Sequence, residues 1–118
     1  MKIQLIGTEL GNGQGFGNAT VTGKAFVATS SEEAVNGMVE GSILVVKTTC
    51  KDYMPAIEKA SALVVEEGGL TSHAAVVAIA QGIPVIVGVE NATSVIENDM
   101  IITIDPRRGN IFKGESAF

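Results

Sequence analysis

Little in this chain is aromatic, basic or sulfur-bearing, and each shortage removes a class of function. There is no tryptophan, and aromatic residues make up only 4% of the sequence, which leaves almost nothing for nucleic-acid bases to stack on. Eight Lys and Arg against 13 Asp and Glu give a net charge of −5, and the cations are scattered. Such a chain presents no basic surface to nucleic acid or to an anionic membrane. Its one cysteine, Cys50, cannot form an internal disulfide; a free structural thiol in a reducing cytoplasm is expected. No apolar run approaches the roughly 20 residues that a membrane span needs. The opening MKIQLIG is broken by Gly7 and Glu9 too early for a secretory signal to be expected. The two Asn-Ala-Thr triplets, at 18–20 and 91–93, are therefore not expected to be glycosylated. No acidic or His/Cys cluster has metal-ligand spacing, so no metal is expected in this chain.

What is present is an ordinary globular composition, 46% apolar over 118 residues, enough for one domain, 1–118, with a buried core. The run IQLI (3–6) reads as a strand. GNGQGFG (11–17) reads as a glycine-punctuated loop, and TVTGKAFVA (20–28) as a strand interrupted by Gly23. Ser30, Ser31, Glu32 and Glu33 make a helix start. Ala34, Val35, Met38 and Val39 supply that helix's apolar face, and Gly41 is its expected stop. Strands are predicted at 42–46, 62–67, 83–89, 100–105 and 110–114. A helix is predicted at 52–60, with Asp52 as cap and Pro55 in its first turn. Another is predicted at 72–81, closed by Gly82. The alternation strand, helix, strand, helix, strand over 42–89 predicts a parallel sheet with right-handed crossovers. The flanking strand-rich segments predict a second, more antiparallel β layer. The fold class is therefore α/β, with a partly parallel central sheet.

Two glycine-rich segments invite a functional reading. In GNGQGFG the glycines alternate, so neither G-x-G-x-x-G nor a nucleotide P-loop is met, and the segment does not join a strand to a helix. A structural turn is the reading there. EEGGLTSHAAVV (66–77) differs, because a strand ends at Gly68 and Gly69 and a helix begins a few residues on. Thr71 or Ser72 can cap that helix. The first-turn amides and the positive end of the helix dipole then form an anion site. His73, the only histidine, falls in the first turn, where the dipole favours the neutral ring and leaves a nitrogen free as nucleophile. Residue chemistry alone leaves two readings open: good strand-to-helix punctuation with an incidental histidine, or a site that accepts a phosphoryl group on nitrogen. No cation lies between Lys59 and Arg107 in sequence, although phosphoryl transfer ordinarily draws on Arg, Lys or Mg²⁺. Val76, Val77 and Ala80 share a helix face with His73 and are expected in the core. DPRRG (105–109) reads as a turn holding both arginines, with a partner domain as a possible contact.

GGLTSHAAVVAIAQGIPVIVG (68–88) resembles the phosphohistidine signature of phosphoenolpyruvate-utilising enzymes, namely pyruvate phosphate dikinase, phosphoenolpyruvate synthase and enzyme I of the sugar phosphotransferase system. GQGFGNATVTGKAFVA and IPVIVGVENATSVIENDMIITID extend the similarity to essentially the whole chain. The resemblance implies a single swivelling β/β/α phosphohistidine domain. It implies His73 as phosphoryl acceptor, with Gly68, Gly69, Thr71 and Ser72 around the phosphate. Thr71 matches a position that is phosphorylated for regulation in some dikinases. Phosphocarrier members have arginine six residues after the histidine, where this chain has Ile79. MPAIEKASALVVEEGGLTSHAAVV followed by GIPVIVGVENAT looks most like the extra C-terminal domain appended to pyruvate kinases of Bacillus-type bacteria. That form implies a non-catalytic, structural or regulatory domain. Its partners would be the parent catalytic domains, in a homotetramer, and Mg²⁺ would be needed only in those domains. A phosphocarrier serving another phosphoenolpyruvate-utilising catalytic domain, and a small-anion binding module, are the alternatives.

Overall fold

Three short runs of branched apolar residues set the centre of the fold. The computed structural model describes residues 9–114; the strand predicted at 3–6 lies outside them. The three runs are β4 (Ile43–Val46), β5 (Ala62–Val65) and β6 (Val85–Val87), and every residue in them is buried. Strands buried on both faces have no solvent side, which is why they read as continuous apolar runs rather than alternating ones. The remaining strands are β1 (Glu9–Asn12), β2 (Gln14–Phe16), β3 (Val21–Val27), β7 (Ile101–Asp105) and β8 (Asn110–Lys113). The helices are α1 (Ser31–Gly37), α2 (Met54–Ile57), α3 (His73–Gln81) and α4 (Ala92–Val95), with a 3₁₀ turn at Lys51–Tyr53.

The strands form one eight-stranded sheet in the order β1-β8-β7-β3-β4-β5-β6-β2. β3 to β6 run parallel, and the other pairings are antiparallel. β3 serves both parts: Val21 to Lys24 pair with β7, and Ala25 to Val27 pair with β4. Gly23, the interruption seen in sequence, lies in the antiparallel stretch just before this switch. Alternate residues of the parallel strands then face different layers. Ile43, Val45, Ala62, Val64 and Ile86 pack against Ile102, Ile104 and Ile111 of the antiparallel part. Leu44, Val46, Leu63, Val65, Val85 and Val87 pack against Ala34, Ile57, Ala74, Ala75 and Ala78 of the helices. The result is the β/β/α layering and the partly parallel sheet expected from sequence.

The glycine segment departs from expectation. GNGQGFG is mostly strand, because β1 and β2 follow one another through Gly13 and pair with opposite ends of the sheet, β8 and β6. The crossing is so close that a Cβ on Gly13 would overlap the Val87 carbonyl, and one on Gly15 the Pro106 carbonyl. Gly13 N–H donates to the Gly109 carbonyl at 2.8 Å. Glycine is here because two backbones approach, not because the chain turns. The 105–109 turn thus packs on this chain's own crossing strand.

Two helices also differ. α1 begins as predicted: Ser30 Oγ accepts from Glu33 N–H at 3.1 Å, and the Glu33 carboxylate accepts from Thr29 N–H at 2.7 Å. It ends at Gly37 rather than Gly41, since Met38 is already extended, and Val39 is exposed. A Cβ on Gly37 would clash with the Phe26 ring. In the predicted helix 52–60, Asp52 caps nothing and sits inside the 3₁₀ turn. Pro55 has no N–H to give the Lys51 carbonyl; Met54 N–H bonds it instead, which separates that turn from α2.

Gly15→Ala is expected to cost about 1–3 kcal/mol in urea unfolding, the usual range for forced overpacking. Gly23→Ala, whose Cβ meets nothing nearer than 3.5 Å, is the matched control and should move the midpoint far less. Equal effects would remove the crossing as the reason for these glycines.

Candidate functional site

The turn after β5 gathers the residues singled out in sequence. Glu66 and Glu67 extend the backbone bonding toward β4, donating to the Val46 and Lys47 carbonyls at 3.0 Å each. Gly68 then adopts φ +100, and a Cβ there would lie 2.8 Å from Ser72 Cβ. Only glycine takes that conformation in that space without strain. Gly69 has no such need: its nearest neighbour is the Gln14 side-chain oxygen, 3.5 Å from where a Cβ would be. Its carbonyl accepts from Ser72 N–H at 3.0 Å and so closes the turn.

Ser72, not Thr71, is the N-cap of α3. Its hydroxyl accepts from Ala75 N–H at 3.4 Å, while Thr71 is exposed. His73 and Ala74 are therefore the first two helical residues, whose amides have no carbonyl within the helix to bond. At the other end Gly82, at φ +78, closes the helix as predicted. His73 is exposed, and its Nδ1 is 2.9 Å from Thr49 Oγ1. With Nδ1 engaged, Nε2 is the ring nitrogen left free.

Thr49 is the residue that sequence reading missed. It lies in the loop after β4, and parallel pairing brings the carboxyl ends of β4 and β5 side by side. Loops at the carboxyl ends of parallel strands are where such sites form, and that rule could have flagged the threonines at 48 and 49. A cavity of about 170 Å³ opens between the two loops, lined by Thr48, Thr49, Val65, Glu67, Gly68, Ser72, His73 and Ala74. Of the predicted residues it brings together Gly68, Ser72 and His73. Gly69 and Thr71 stay outside its lining. The lining holds one acid, Glu67, and no Lys or Arg. Cys50 is free and exposed.

Ile79 lies about 9 Å further along α3 and about 240° around it from His73. It lines a different cavity, with Phe16, Ile83 and Pro84. Val76 and Ala80, expected in the core, are exposed with His73, and Val77 is half-buried. The buried stripe of α3 is Ala74, Ala75 and Ala78. A helix apolar all round carries no period by which sequence could choose its buried face, and the small alanines let it lie close on the sheet.

Beside the site, Glu66 holds the start of α4, a helix not predicted. Its carboxylate accepts from Thr93 N–H at 2.8 Å and from the Thr93 hydroxyl. The hydroxyl bond foremost, then the amide bond and Lys47, hold its carboxyl below the usual glutamate range, against the opposing effect of burial. Among the described residues no cluster of three or more His, Cys, Asp or Glu is placed to hold a metal, and no helix is long and apolar enough to cross a membrane.

Comparison with known proteins gives one family. The profile described as "PEP-utilising enzyme, mobile domain" matches residues 38–109. The chain is 58% identical over 115 residues to a pyruvate kinase of Lactobacillus delbrueckii subsp. bulgaricus, covering 98% of this chain and 20% of that protein. Pyruvate kinases of Geobacillus stearothermophilus and Bacillus licheniformis are 52% and 47% identical, each over 99% of this chain and 20% of their own length. The chain thus spans about a fifth of the curated relatives it matches. Among solved structures, aconitase X of Thermococcus kodakaraensis in its holo-form shares the fold with TM-score 0.69 and 19% identity, over 92% of this chain and 100% of the other. Enzyme I (nEIt) does so with TM-score 0.58 and 22% identity, over 68% and 33%.

Because the folded-state pKa of Glu66 is depressed, its stabilising share is present at neutral pH. That share is lost as pH falls through the folded value. Glu66→Gln is expected to lower stability at pH 7 and to shrink the further loss between pH 7 and pH 3, read from urea midpoints. An unchanged acid dependence would contradict this role.

Proposed function

The chain belongs to the family of PEP-utilising enzyme mobile domains, and from that premise we propose that it is the C-terminal, non-catalytic domain of a bacterial pyruvate kinase. The parent enzyme moves a phosphoryl group from phosphoenolpyruvate to ADP in glycolysis, in the cytoplasm, as a homotetramer. The observation that carries this reading is the 40–58% identity to pyruvate kinases over 97–99% of the chain. The chemistry of the cavity agrees with it. Pyruvate kinase transfers phosphate directly in its own catalytic part, where Mg²⁺ and nucleotide belong, and needs no histidine carrier. In this chain the cavity beside His73 is lined by one acidic residue, Glu67, and by no Lys or Arg. A phosphoryl group there would add negative charge to negative charge without the neutralisation such transfers use. The role left to the domain is docking on the parent catalytic domains, with an effect on stability or allosteric state.

A second reading is a working phosphocarrier, and the Thr49 hydrogen bond favours it. With Nδ1–H donating to Thr49 Oγ1, the tautomer this reading requires, the Nε2 lone pair attacks phosphorus as the phosphoenolpyruvate P–O bond breaks and enolpyruvate leaves. The unbonded first-turn amides and the Ser72 cap would then hold the phosphoryl oxygens. The same amides support a third role, a phosphate- or sulfate-binding module, which the Glu67 carboxylate opposes.

In the full-length enzyme His73→Ala is expected to leave kcat for phosphoryl transfer from phosphoenolpyruvate to ADP within about twofold of the parent, as for a group outside the reaction. Loss of several orders of magnitude would transfer the role to the phosphocarrier reading.

A further inference from the structure

The fold leaves a second cavity, larger than the one beside His73 and different in chemistry. It opens between the end of β2, the residues that follow it and the C-terminal half of α3, with a volume of about 440 Å³. Phe16, Val21, Ile79, Ile83 and Pro84 line it, Asn18 is its only polar side chain, and no charged residue contributes. Phe16 is 49% and Ile79 39% exposed, and Val76, one turn earlier on α3, is 55% exposed. Phe16 and Ile79 share one groove and are left open to water, as at sites of contact with a partner.

We propose that this groove is the seat on which the catalytic part of the same polypeptide docks, an apolar side chain of that part filling the space between Phe16 and Ile79. The inference rests on the pyruvate-kinase reading above and adds to it the surface through which the domain is held. The chain accounts for 20% of each of the three relatives compared, so the other four fifths of such a polypeptide lies outside this structure. In those relatives the match falls in the C-terminal part. The catalytic part of such a polypeptide therefore precedes this domain, and the segment Glu9 to Phe16 runs from the β8 end of the sheet to the groove wall at Phe16. A tethered partner meets the groove at an effective concentration in the millimolar range. A second copy of the chain has no such advantage, and two copies each carrying −5 repel. A small metabolite fits less well, because the groove lacks the converging polar groups that orient one. Ile79 completes the apolar wall with Phe16, Ile83 and Pro84.

The test is a photo-reactive benzoyl-phenylalanine in place of Phe16 in the full-length enzyme, with the cross-linked peptides identified by mass spectrometry. The expected product joins position 16 to the catalytic part, and Ile79→Glu lowers its yield about tenfold, as loss of one buried anchor does. Val95, as exposed as Ile79 at 41% and outside the groove, serves as the control site for the same label. Cross-links only to the mobile domain of another copy would overturn the proposal. So would a yield no higher than at Val95, or one unmoved by Ile79→Glu. The two proposals fail differently. Loss of phosphoryl transfer in His73→Ala removes the non-catalytic reading and leaves the cross-link standing, whereas a missing cross-link with His73→Ala still active removes the groove alone.

Discussion

The structure depends on two missing Cβ atoms where the strand from Glu9 to Phe16 crosses from one end of the sheet to the other. At Gly13 and Gly15 the crossing backbone lies against the Val87 and Pro106 carbonyls with no room for a side chain. That contact lets β1 pair with β8 while β2 pairs with β6, so both ends of the sheet are covered by one segment. The antiparallel part is thereby folded over the parallel part, and Ile102, Ile104 and Ile111 seal the inner face of β4, β5 and β6. With one face sealed by strands and the other by helices, the parallel strands are dry on both sides, and their carboxyl ends are held in fixed register. The site follows from that register.

At those carboxyl ends the chemistry is set by small distances rather than by rare residues. Gly68 turns the chain, Ser72 caps α3, and Thr49 reaches across from the neighbouring strand to His73 Nδ1 at 2.9 Å. A stripe of alanines seats α3 on the sheet, so the histidine is presented outward at the amino end of the helix. The cavity beside it is lined by Glu67 and by no basic side chain. The apolar character at Ile79 belongs to another surface altogether. On the proposed reading, the scaffold of a PEP-utilising enzyme mobile domain persists while the apolar groove at Phe16 and Ile79 serves as a contact surface for the parent enzyme.

Much of this was legible in sequence. The caps of α3, its glycine stop and the three buried strands rest on local signals, namely capping residues, left-handed glycine and uninterrupted apolar runs, while the β/β/α layering was implied by the family resemblance. The parts that were not legible are those decided by tertiary approach. GNGQGFG reads as a loop because glycine is depleted in strands, and nothing local announces that a second backbone lies against it. Thr49 is 24 residues from His73 and is brought to it only by parallel pairing. The buried face of α3 could not be chosen from AAVVAIA, where every position is apolar. Gly37 and Gly41 compete as the stop for α1, and the Phe26 ring against Gly37 is invisible from the chain order.

On the proposed reading His73 stands where a phosphohistidine domain has its acceptor, without carrying phosphate. The most direct measurement is ³¹P NMR at alkaline pH, where phosphoramidates survive, on the full-length enzyme incubated with phosphoenolpyruvate and Mg²⁺. The account predicts no phosphoramidate resonance that disappears in His73→Ala. A resonance approaching one phosphorus per chain, present in the parent and absent in that variant, would contradict it.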